Sequence, residues 1–298
     1  MQIKIICLLF CLIFFDSCTK QETTSAGNNT DNLQHPDSSY LPVIFLCGQS
    51  NMEGVSVDSL LPEIFKQTIS NASVFYKPTN NSVNNANIEA LQYGVNNNWR
   101  SPKIYFGPET GLAYYLTQNG HKVAIVKYAY GGSKLSQIGN PDSNGYWQVN
   151  SNATLAHYQI LINDWAKPSI AAFKQAGYKP YIAAFVWCQG ETDAHESSAA
   201  KVYEKNLTDL LNSFKRDLYA TDSFVNNMRV IITRTRNVYP YSDMIRQAQG
   251  DIAKTYHNAY LIDGDNWPVG KDNIHYTAES EAELHGKSIA AILDRVIP

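Results

Sequence analysis

Short apolar runs alternate with longer stretches of helical periodicity along most of the chain. Five runs rich in β-branched side chains predict strands that are buried on both faces of a sheet: 42–47, 123–126, 181–187, 228–233 and 259–262. Amphipathic stretches between and after them predict helices at 108–119, 154–176, 197–219, 241–256 and 278–296. This alternation predicts an α/β fold, a three-layer α/β/α sandwich around a five-stranded parallel sheet.

The region between the first predicted strand and the first predicted helix is harder to interpret. Residues 55–108 lack clear periodicity and contain one short strand candidate, at 73–76, and an Asn-rich stretch at 80–98. A loop of that length is either functional or disordered. Because no internal repeat and no second core are visible, we predict a single folded domain at 40–298.

The N-terminus has the pattern of an export signal. A short cationic start at 1–4 precedes an apolar run at 5–15, which is too short to span a bilayer. Ser17-Cys18 then resembles a bacterial lipoprotein signal, so we predict a signal peptide at 1–17, a lipid on Cys18 and a flexible tether at 18–39. An ordinary secretory signal is the alternative. Either interpretation predicts an exported protein, periplasmic or held at the outer membrane or cell surface, with no membrane contact except the anchor.

Composition restricts the partners. Of the 298 residues, 44% are apolar and 17% are charged, which is typical of a globular protein. The net charge of -3 argues against nucleic-acid binding, because such binding needs a basic surface. The 19 Tyr and 5 Trp suit a surface that stacks on sugars, although tyrosines also fill cores.

Only two cysteines fall within the predicted domain, Cys47 and Cys188. Both end apolar runs that are candidates for neighbouring strands, so a disulfide is conceivable. Two cysteines make no disulfide framework, however, and buried free thiols are the favoured interpretation.

Unusual residues follow four of the apolar segments, and the carboxyl ends of parallel strands share one edge of a sheet. A serine follows the first run, Gly-rich turns follow two others, and a histidine with a carboxylate three residues before it lies near the C-terminus. A serine hydroxyl becomes nucleophilic when a histidine removes its proton, and a carboxylate orients that histidine. Glycine turns and amides supply donors for an oxyanion. The combination predicts acyl transfer.

Sequence blocks at these positions carry a family resemblance. They are Gly48-Gln49-Ser50-Asn51-Met52, Phe106-Gly107-Pro108-Glu109, Gly131-Gly132-Ser133, Trp187-Cys188-Gln189-Gly190-Glu191-Thr192-Asp193, Arg246-Gln247-Ala248-Gln249 and Asp272-Asn273-Ile274-His275. In order and spacing they resemble the SGNH-hydrolase superfamily, and within it carbohydrate esterase family 6 and the sialate O-acetylesterase group. The resemblance extends from about Val43 to the C-terminus. It implies a flavodoxin-like sheet of strand order 2-1-3-4-5 and deacetylation of sugars.

Catalytic roles follow from these blocks by resemblance. Ser50 is implied as the nucleophile, His275 as the general base and acid, and Asp272 as the partner that orients it. A Gly-x-Ser-x-Gly elbow is absent because position 52 is Met, which argues against an α/β-hydrolase.

The resemblance also implies an oxyanion hole. Its donors are the backbone N–H groups of Ser50 and Gly131 and the side-chain amide of Gln189, with Gly132 as an alternative to Gly131. The broad superfamily usually has an asparagine in the third block, whereas this chain has Gln189, as the carbohydrate branch does.

Three further residues are supporting candidates. Glu191, together with Asp193, is either catalytic or a metal ligand, or else holds its loop by hydrogen bonds; we favour the last and predict no metal. Glu109 at a helix start is interpreted as a cap that matches the helix dipole, and Arg246 is its candidate partner.

These observations predict an exported serine esterase that removes O-acetyl groups from carbohydrates, of the acetylxylan or sialic-acid type, through an acetyl-enzyme. The chemistry requires no cofactor. One alternative is a lipase or thioesterase of the same superfamily, which needs a long apolar acyl pocket. The other is a non-catalytic glycan-binding lipoprotein.

Overall fold

A twisted, mostly parallel sheet forms the centre of the protein. The computed structural model describes residues 36–57, 60–76, 87–96 and 105–298. The predicted signal peptide, Cys18 and residues 18–35 of the predicted tether therefore lie outside the described residues. No helix among the described residues is long and apolar enough to cross a membrane.

Nine strands and seven α-helices make up the described part of the chain. The strands are β1 (Leu41–Gly48), β2 (Ser56–Val57), β3 (Thr68–Tyr76), β4 (Asn87–Gln92), β5 (Tyr105–Phe106), β6 (Val123–Ala129), β7 (Pro180–Cys188), β8 (Arg229–Thr233) and β9 (Ala259–Ile262). The helices are α1 (Ser50–Glu53), α2 (Glu109–Gln118), α3 (His157–Ile160), α4 (Lys167–Gln175), α5 (Ser197–Leu218), α6 (Ser242–Thr255) and α7 (Lys287–Leu293). Short 3-10 turns lie at Glu63–Phe65, Asp193–His195 and Ser223–Asn227, and π-helical turns at Leu161–Ala166 and Ser280–Gly286.

The main sheet has seven strands in the order β4-β3-β6-β1-β7-β8-β9. Its five predicted members, β6-β1-β7-β8-β9, are parallel and follow the expected order 2-1-3-4-5. The predicted count of five strands was too low. β3 extends the parallel sheet beside β6, and β4 adds an antiparallel edge. The strand candidate at 73–76 is the end of β3. The rest of β3 and all of β4 were hidden inside the irregular region, because both carry several polar residues and β4, as an edge strand, needs no continuous apolar run.

Strand β1 lies at the centre of this sheet and is buried on both faces. Val43, Phe45 and Cys47 pack into one core cluster, with α4 and α5, whereas Ile44 and Leu46 pack into the other, with α2 and α7. All five side chains are fully buried. Burial of each large side chain stabilises the fold by about 1.5–3 kcal/mol, so the position of β1 is strongly fixed.

The helix predicted at 154–176 is divided by a π-helical turn. α3 passes into the turn at Leu161–Ala166, and α4 begins with Pro168 in its first turn. Proline lacks the N–H that a continuous α-helix would need, and the wider turn absorbs the loss. The helix predicted at 278–296 is likewise a π-helical turn followed by α7.

Cys47 and Cys188 are both buried free thiols, as the favoured interpretation expected. Their strands are neighbours, but Cys47 belongs to one core cluster and Cys188 to the other, so the side chains point to opposite faces of the sheet. A disulfide between them is therefore impossible in this fold. Burial raises the pKa of both thiols well above the ordinary value, which keeps them protonated and unreactive.

The π-helical turn at Ser280–Gly286 carries a buried carboxyl group. Glu281 is fully buried, and neither of its oxygens has a hydrogen-bond partner among the described residues. Burial, and then the negative charge of Glu109, raise the pKa of Glu281 well above its ordinary value. Burial lowers the pKa of neighbouring His285 to about 3, and its Nε2 lies 2.8 Å from the hydroxyl of Thr233. The fold thus favours the uncharged form of both side chains.

We expect Glu281→Gln to stabilise the protein more at pH 8 than at pH 5. The pKa of Glu281 is higher in the folded state than in the unfolded state. Wild type therefore keeps its full stability below the unfolded-state pKa and loses stability as the pH rises towards the folded-state pKa, because only the unfolded state ionises in that range. The advantage of glutamine, which does not titrate, grows by about 1.4 kcal/mol for each pH unit up to the folded-state pKa. Urea unfolding at both pH values measures it, and an advantage that is the same at both would contradict the assignment.

Candidate active site

The site lies at the carboxyl ends of β1, β6 and β7, and β1 delivers its first residues. Gly48 ends β1 with φ at 146°, a backbone conformation that favours glycine. A Cβ atom added there would lie 2.1 Å from the carbonyl oxygen of Cys188 on β7. Only glycine allows the two strands to meet so closely, and the chain then turns directly into Ser50, the first residue of α1.

Ser50, His275 and Asp272 form a continuous chain of hydrogen bonds. The Oγ of Ser50 lies 2.9 Å from Nε2 of His275, and Nδ1 of His275 lies 2.6 Å from Oδ2 of Asp272. Ser50 is buried, whereas the side chains of His275 and Asp272 are 34% and 47% exposed. The structure therefore brings all three residues of the implied triad together, in the order that proton transfer from serine requires.

Asp272 is held by its own loop. Its Oδ1 accepts the backbone N–H groups of Ile274 and His275, both at 3.0 Å, while Asn273 adopts a left-handed conformation with φ at 60°. Partial burial alone would raise the pKa of Asp272. The N–H of Ile274, the His275 ring and the N–H of His275 outweigh it and lower the pKa to about 2. The carboxylate thus stays charged beside the histidine.

Asn51 fixes the position of the His275 segment, a role that sequence reasoning missed. Its Nδ2 donates to the carbonyl oxygen of Ile274 at 3.1 Å, and its Oδ1 accepts the N–H of Tyr276 at 3.2 Å. The residue after the nucleophile therefore binds the backbone on both sides of the histidine. Its place beside Ser50 in the first block was the one available signal.

A cavity of about 420 Å³ opens over Ser50 and His275. It is lined mainly by polar and aromatic groups, namely Gln49, Ser50, Gly131, Gly132, Glu191, Thr192, His195, Tyr239, Ile274 and His275. Two of these form an aromatic wall, since the rings of His195 and Tyr239 lie only 3.8 Å apart between centroids. The cavity contains both implied glycine donors but not Gln189.

The turn after β6 corrects the expected choice of glycine. The N–H of Gly131 donates to Oε2 of Glu53 at 2.7 Å and is therefore occupied. Gly132, with φ at 76°, also lines the cavity, and its N–H has no acceptor among the described residues. The N–H of Ser50 likewise has none. Of the backbone N–H groups that were expected to form the oxyanion hole, that of Ser50 thus has no acceptor among the described residues, and neither has that of Gly132, the alternative that the sequence left open.

Gln189 is placed differently from the expectation. Its Nε2 donates to the carbonyl oxygen of Ser133 at 3.1 Å and to Oδ2 of Asp193 at 2.7 Å, and the residue has no exposed surface. A side-chain amide has two N–H groups, so both are in use. Asp193 in turn accepts the N–H groups of Leu135 and Ser136. These contacts hold the Gly-rich turn in place and leave no donor for a substrate.

The three supporting candidates separate in space. Glu191 is buried at the cavity wall, and burial raises its pKa. Glu109 is buried below the site, where it lies 2.7 Å from Nζ of Lys127 and accepts the N–H of Gly107. The expected pairing of Glu109 with Arg246 was wrong, because the guanidinium of Arg246 instead binds Asp265, away from the cavity.

Glu53 was not among the residues selected from the sequence, and no motif pointed to it. Its carboxylate holds Gly131, and its backbone carbonyl oxygen accepts a hydrogen bond from Lys127 at 2.9 Å. Lys127 is buried and paired with Glu109, so a compensated ion pair supports the helix that carries Ser50. No group of three or more acidic, histidine or cysteine side chains suited to a metal ion occurs in the described part of the chain.

The chain belongs to the family of carbohydrate esterases described as sialic acid-specific acetylesterases, whose model matches residues 41–294. A curated relative, the probable carbohydrate esterase At4g34215 of Arabidopsis thaliana, is 28% identical over 109 residues. That match covers 37% of this chain and 39% of the length of the relative.

Solved structures share the fold. The structure of the same Arabidopsis protein superposes with a TM-score of 0.66 and 21% identity, over 86% of this chain and 99% of that one. NanS superposes with a TM-score of 0.64 and 14% identity, over 87% of this chain and 98% of that one. XAC1771, a carbohydrate acetylesterase from Xanthomonas citri, superposes with a TM-score of 0.54 and 15% identity, over 86% of this chain and 56% of that one. These likenesses support the three-layer fold derived above.

We expect Glu53→Ala to lower kcat on an acetyl ester by up to about 10²-fold, because the freed Gly131 turn can shift relative to Ser50. Glu53→Gln keeps an oxygen acceptor for the same N–H and serves as the matched control, with near-normal kcat. Steady-state kinetics and a melting curve on each variant separate positioning from unfolding. Equal kcat in both variants would show that the Gly131 contact does not position the turn.

Proposed function

We propose that this protein is an exported serine esterase that removes O-acetyl groups from carbohydrates through an acetyl-enzyme. The observation that carries the proposal is the chain of hydrogen bonds from Ser50 through His275 to Asp272, of which Ser50 and His275 line one cavity. Membership in a carbohydrate esterase family supports the same reaction.

The first half of the reaction forms the acetyl-enzyme. Oγ of Ser50 attacks the acetyl carbonyl carbon while its proton passes to Nε2 of His275, and the carbonyl electron pair moves to oxygen. The backbone N–H groups of Ser50 and Gly132 are placed to donate to that oxyanion. When the tetrahedral intermediate collapses, the bond to the sugar oxygen breaks and His275 returns the proton to that oxygen.

The second half repeats these steps with water. His275 takes a proton from water as the hydroxide adds to the acetyl carbon. Collapse breaks the bond to Oγ of Ser50, His275 returns the proton to Oγ, and the product leaves as acetic acid, which ionises to acetate. Throughout, Asp272 keeps the ring oriented and stabilises its charged form, a role for which its low pKa suits it. Every proton moves between groups of the chain, water and substrate.

The walls of the cavity favour a small acyl group on a polar alcohol. Among the residues that line it, Ile274 is the one aliphatic side chain, and the others are small, polar or aromatic. A lipase or thioesterase would need a long apolar channel, so this alternative is disfavoured. The wall formed by His195 and Tyr239 offers aromatic faces on which a sugar ring can rest. A purely glycan-binding role leaves the aligned triad without an explanation.

Export is part of the proposal and is supported by the sequence at 1–18 alone. A signal peptide at 1–17 and a lipid on Cys18 would place the esterase domain outside the cytoplasm, where polymeric acetylated glycans occur. Hydrolysis of acetylated xylan fragments and of O-acetylated sialic acids distinguishes the two candidate sugars.

We expect Ser50→Ala to lower kcat by about 10⁶-fold on an acetylated sugar, because the nucleophile acts as a unit with His275. Release of acetate is measured enzymatically, with a melting curve to show that the fold is intact. Ser133→Ala is a control, since that hydroxyl bonds to the carbonyl oxygen of Tyr130 and to the indole of Trp147 rather than to His275. Substantial turnover by folded Ser50→Ala would refute the serine mechanism.

The acyl preference is tested on the wild-type protein with acetate and octanoate esters of one alcohol. We expect acetate to be hydrolysed far faster because the cavity has no long apolar extension. Acetylated xylan fragments and O-acetylated sialic acids then identify the sugar. Faster hydrolysis of octanoate would favour the lipase alternative, and no hydrolysis of any ester would favour the glycan-binding one.

A further inference from the structure

The residue before the nucleophile has a rigid backbone. The N–H of Gln49 donates to the carbonyl oxygen of Cys188 at 2.9 Å, which ties it to the end of β7. Its own carbonyl oxygen accepts the N–H groups of Met52 and Glu53, at 2.9 and 2.8 Å. The start of the Gln49 side chain is therefore as firmly placed as Ser50 itself.

The orientation of the Gln49 amide follows from its neighbours. Its Oε1 accepts the backbone N–H of Gly190 at 3.3 Å and lies 3.5 Å from the hydroxyl of Thr192. A backbone N–H can only donate, so the oxygen of the amide must face Gly190. The NH₂ group is thereby turned away from the β7 loop.

That NH₂ group has nothing to bind within the protein. Nε2 has no acceptor among the described residues, although Gln49 as a whole is only 3% exposed. It is not among the completely enclosed polar atoms, and Gln49 lines the cavity together with Ser50, Gly132 and His275. Leaving a nearly buried donor unpaired destabilises the protein, and a substrate oxygen in the cavity would remove that cost.

The contrast with Gln189 is sharp. Both residues are glutamines at the ends of adjacent parallel strands, but both side-chain N–H groups of Gln189 donate hydrogen bonds, to Ser133 and Asp193. Neither side-chain N–H group of Gln49 donates to any described residue. Of the two amides, only that of Gln49 can donate into the cavity without first breaking a hydrogen bond.

We propose that Gln49, through its Nε2–H, is the third donor to the oxyanion, beside the backbone N–H groups of Ser50 and Gly132. The inference rests on the proposed serine esterase function. As Ser50 attacks, the carbonyl π pair becomes a lone pair on oxygen, and that negative charge is what the amide binds. No proton leaves Gln49. Because the charge is present in the transition state and absent from the ester, the contact accelerates the reaction rather than tightening substrate binding.

The test compares Gln49→Met with Gln189→Met, two equal replacements that remove all amide donors. Each is assayed with one acetyl ester for kcat and KM, and kcat is expressed per folded molecule by circular dichroism. We expect Gln49→Met to lose about 10²–10³-fold in kcat with KM within about threefold of wild type. We expect Gln189→Met to melt at a lower temperature and to lose less than tenfold in kcat.

Gln49→Glu is a second variant that tests the same donor if Gln49→Met fails to fold. It keeps the oxygen that accepts the N–H of Gly190 and replaces the donor with a second oxygen, so the same loss of kcat is expected in a folded protein. A boronic acid inhibitor gives a second readout, because its tetrahedral serine adduct places an oxygen where the oxyanion forms. We expect Gln49→Met and Gln49→Glu to weaken this inhibitor by about the same factor as kcat.

Two results overturn the inference. One is near-normal kcat and inhibitor binding in folded Gln49→Met or Gln49→Glu. The other is a large kcat loss at unchanged melting temperature in Gln189→Met, with normal kcat for the Gln49 variants. Failure of the esterase function itself looks different, because wild type would then hydrolyse no acetyl ester and would not bind the boronic acid.

Discussion

The close contact between Gly48 and the carbonyl oxygen of Cys188 is the constraint on which the site depends. β1 is buried on both faces and paired on both edges, so its end cannot move without disturbing both core clusters. The absence of a Cβ at Gly48 lets β7 approach and lets the chain turn within two residues. Ser50 and Gln49 therefore inherit the rigidity of the sheet, which is what a preorganised site requires.

The remaining parts of the site are attached to this fixed point by hydrogen bonds. Asn51 binds the backbone on both sides of His275, although 225 residues separate His275 from Ser50 in the sequence. Glu53 binds the glycine turn after β6, and Lys127 supports Glu53 from below. One short helix thus carries the nucleophile and two side chains that position the loops around it, so alignment does not depend on long, mobile connections.

The sequence predicted what depends on local pattern. Five apolar runs such as 42–47 indicated the core strands, whereas the strand order and the triad of Ser50, His275 and Asp272 followed from the resemblance of the sequence blocks to a known family. Only the end of β3, at 73–76, was predicted, and β4 was missed, because the stability of these segments comes from pairing rather than from apolar composition. Two of the three predicted oxyanion donors, Gly131 and Gln189, already have acceptors in the structure, and whether an N–H is free depends on long-range contacts. The backbone N–H of Gly131 donates to Glu53, and the side-chain amide of Gln189 donates to Asp193. No local sequence pattern reveals either hydrogen bond.

The central claim is that Ser50 carries the acetyl group during the reaction. The most direct measurement mixes the protein with an excess of an activated acetyl ester, quenches it in acid within one turnover and locates the acetyl group by peptide mass spectrometry. We expect acetylation of Ser50 that appears and decays at rates consistent with turnover, and that is absent from Ser50→Ala. Turnover without an acetyl group on Ser50, even when deacetylation is slowed, would contradict the account.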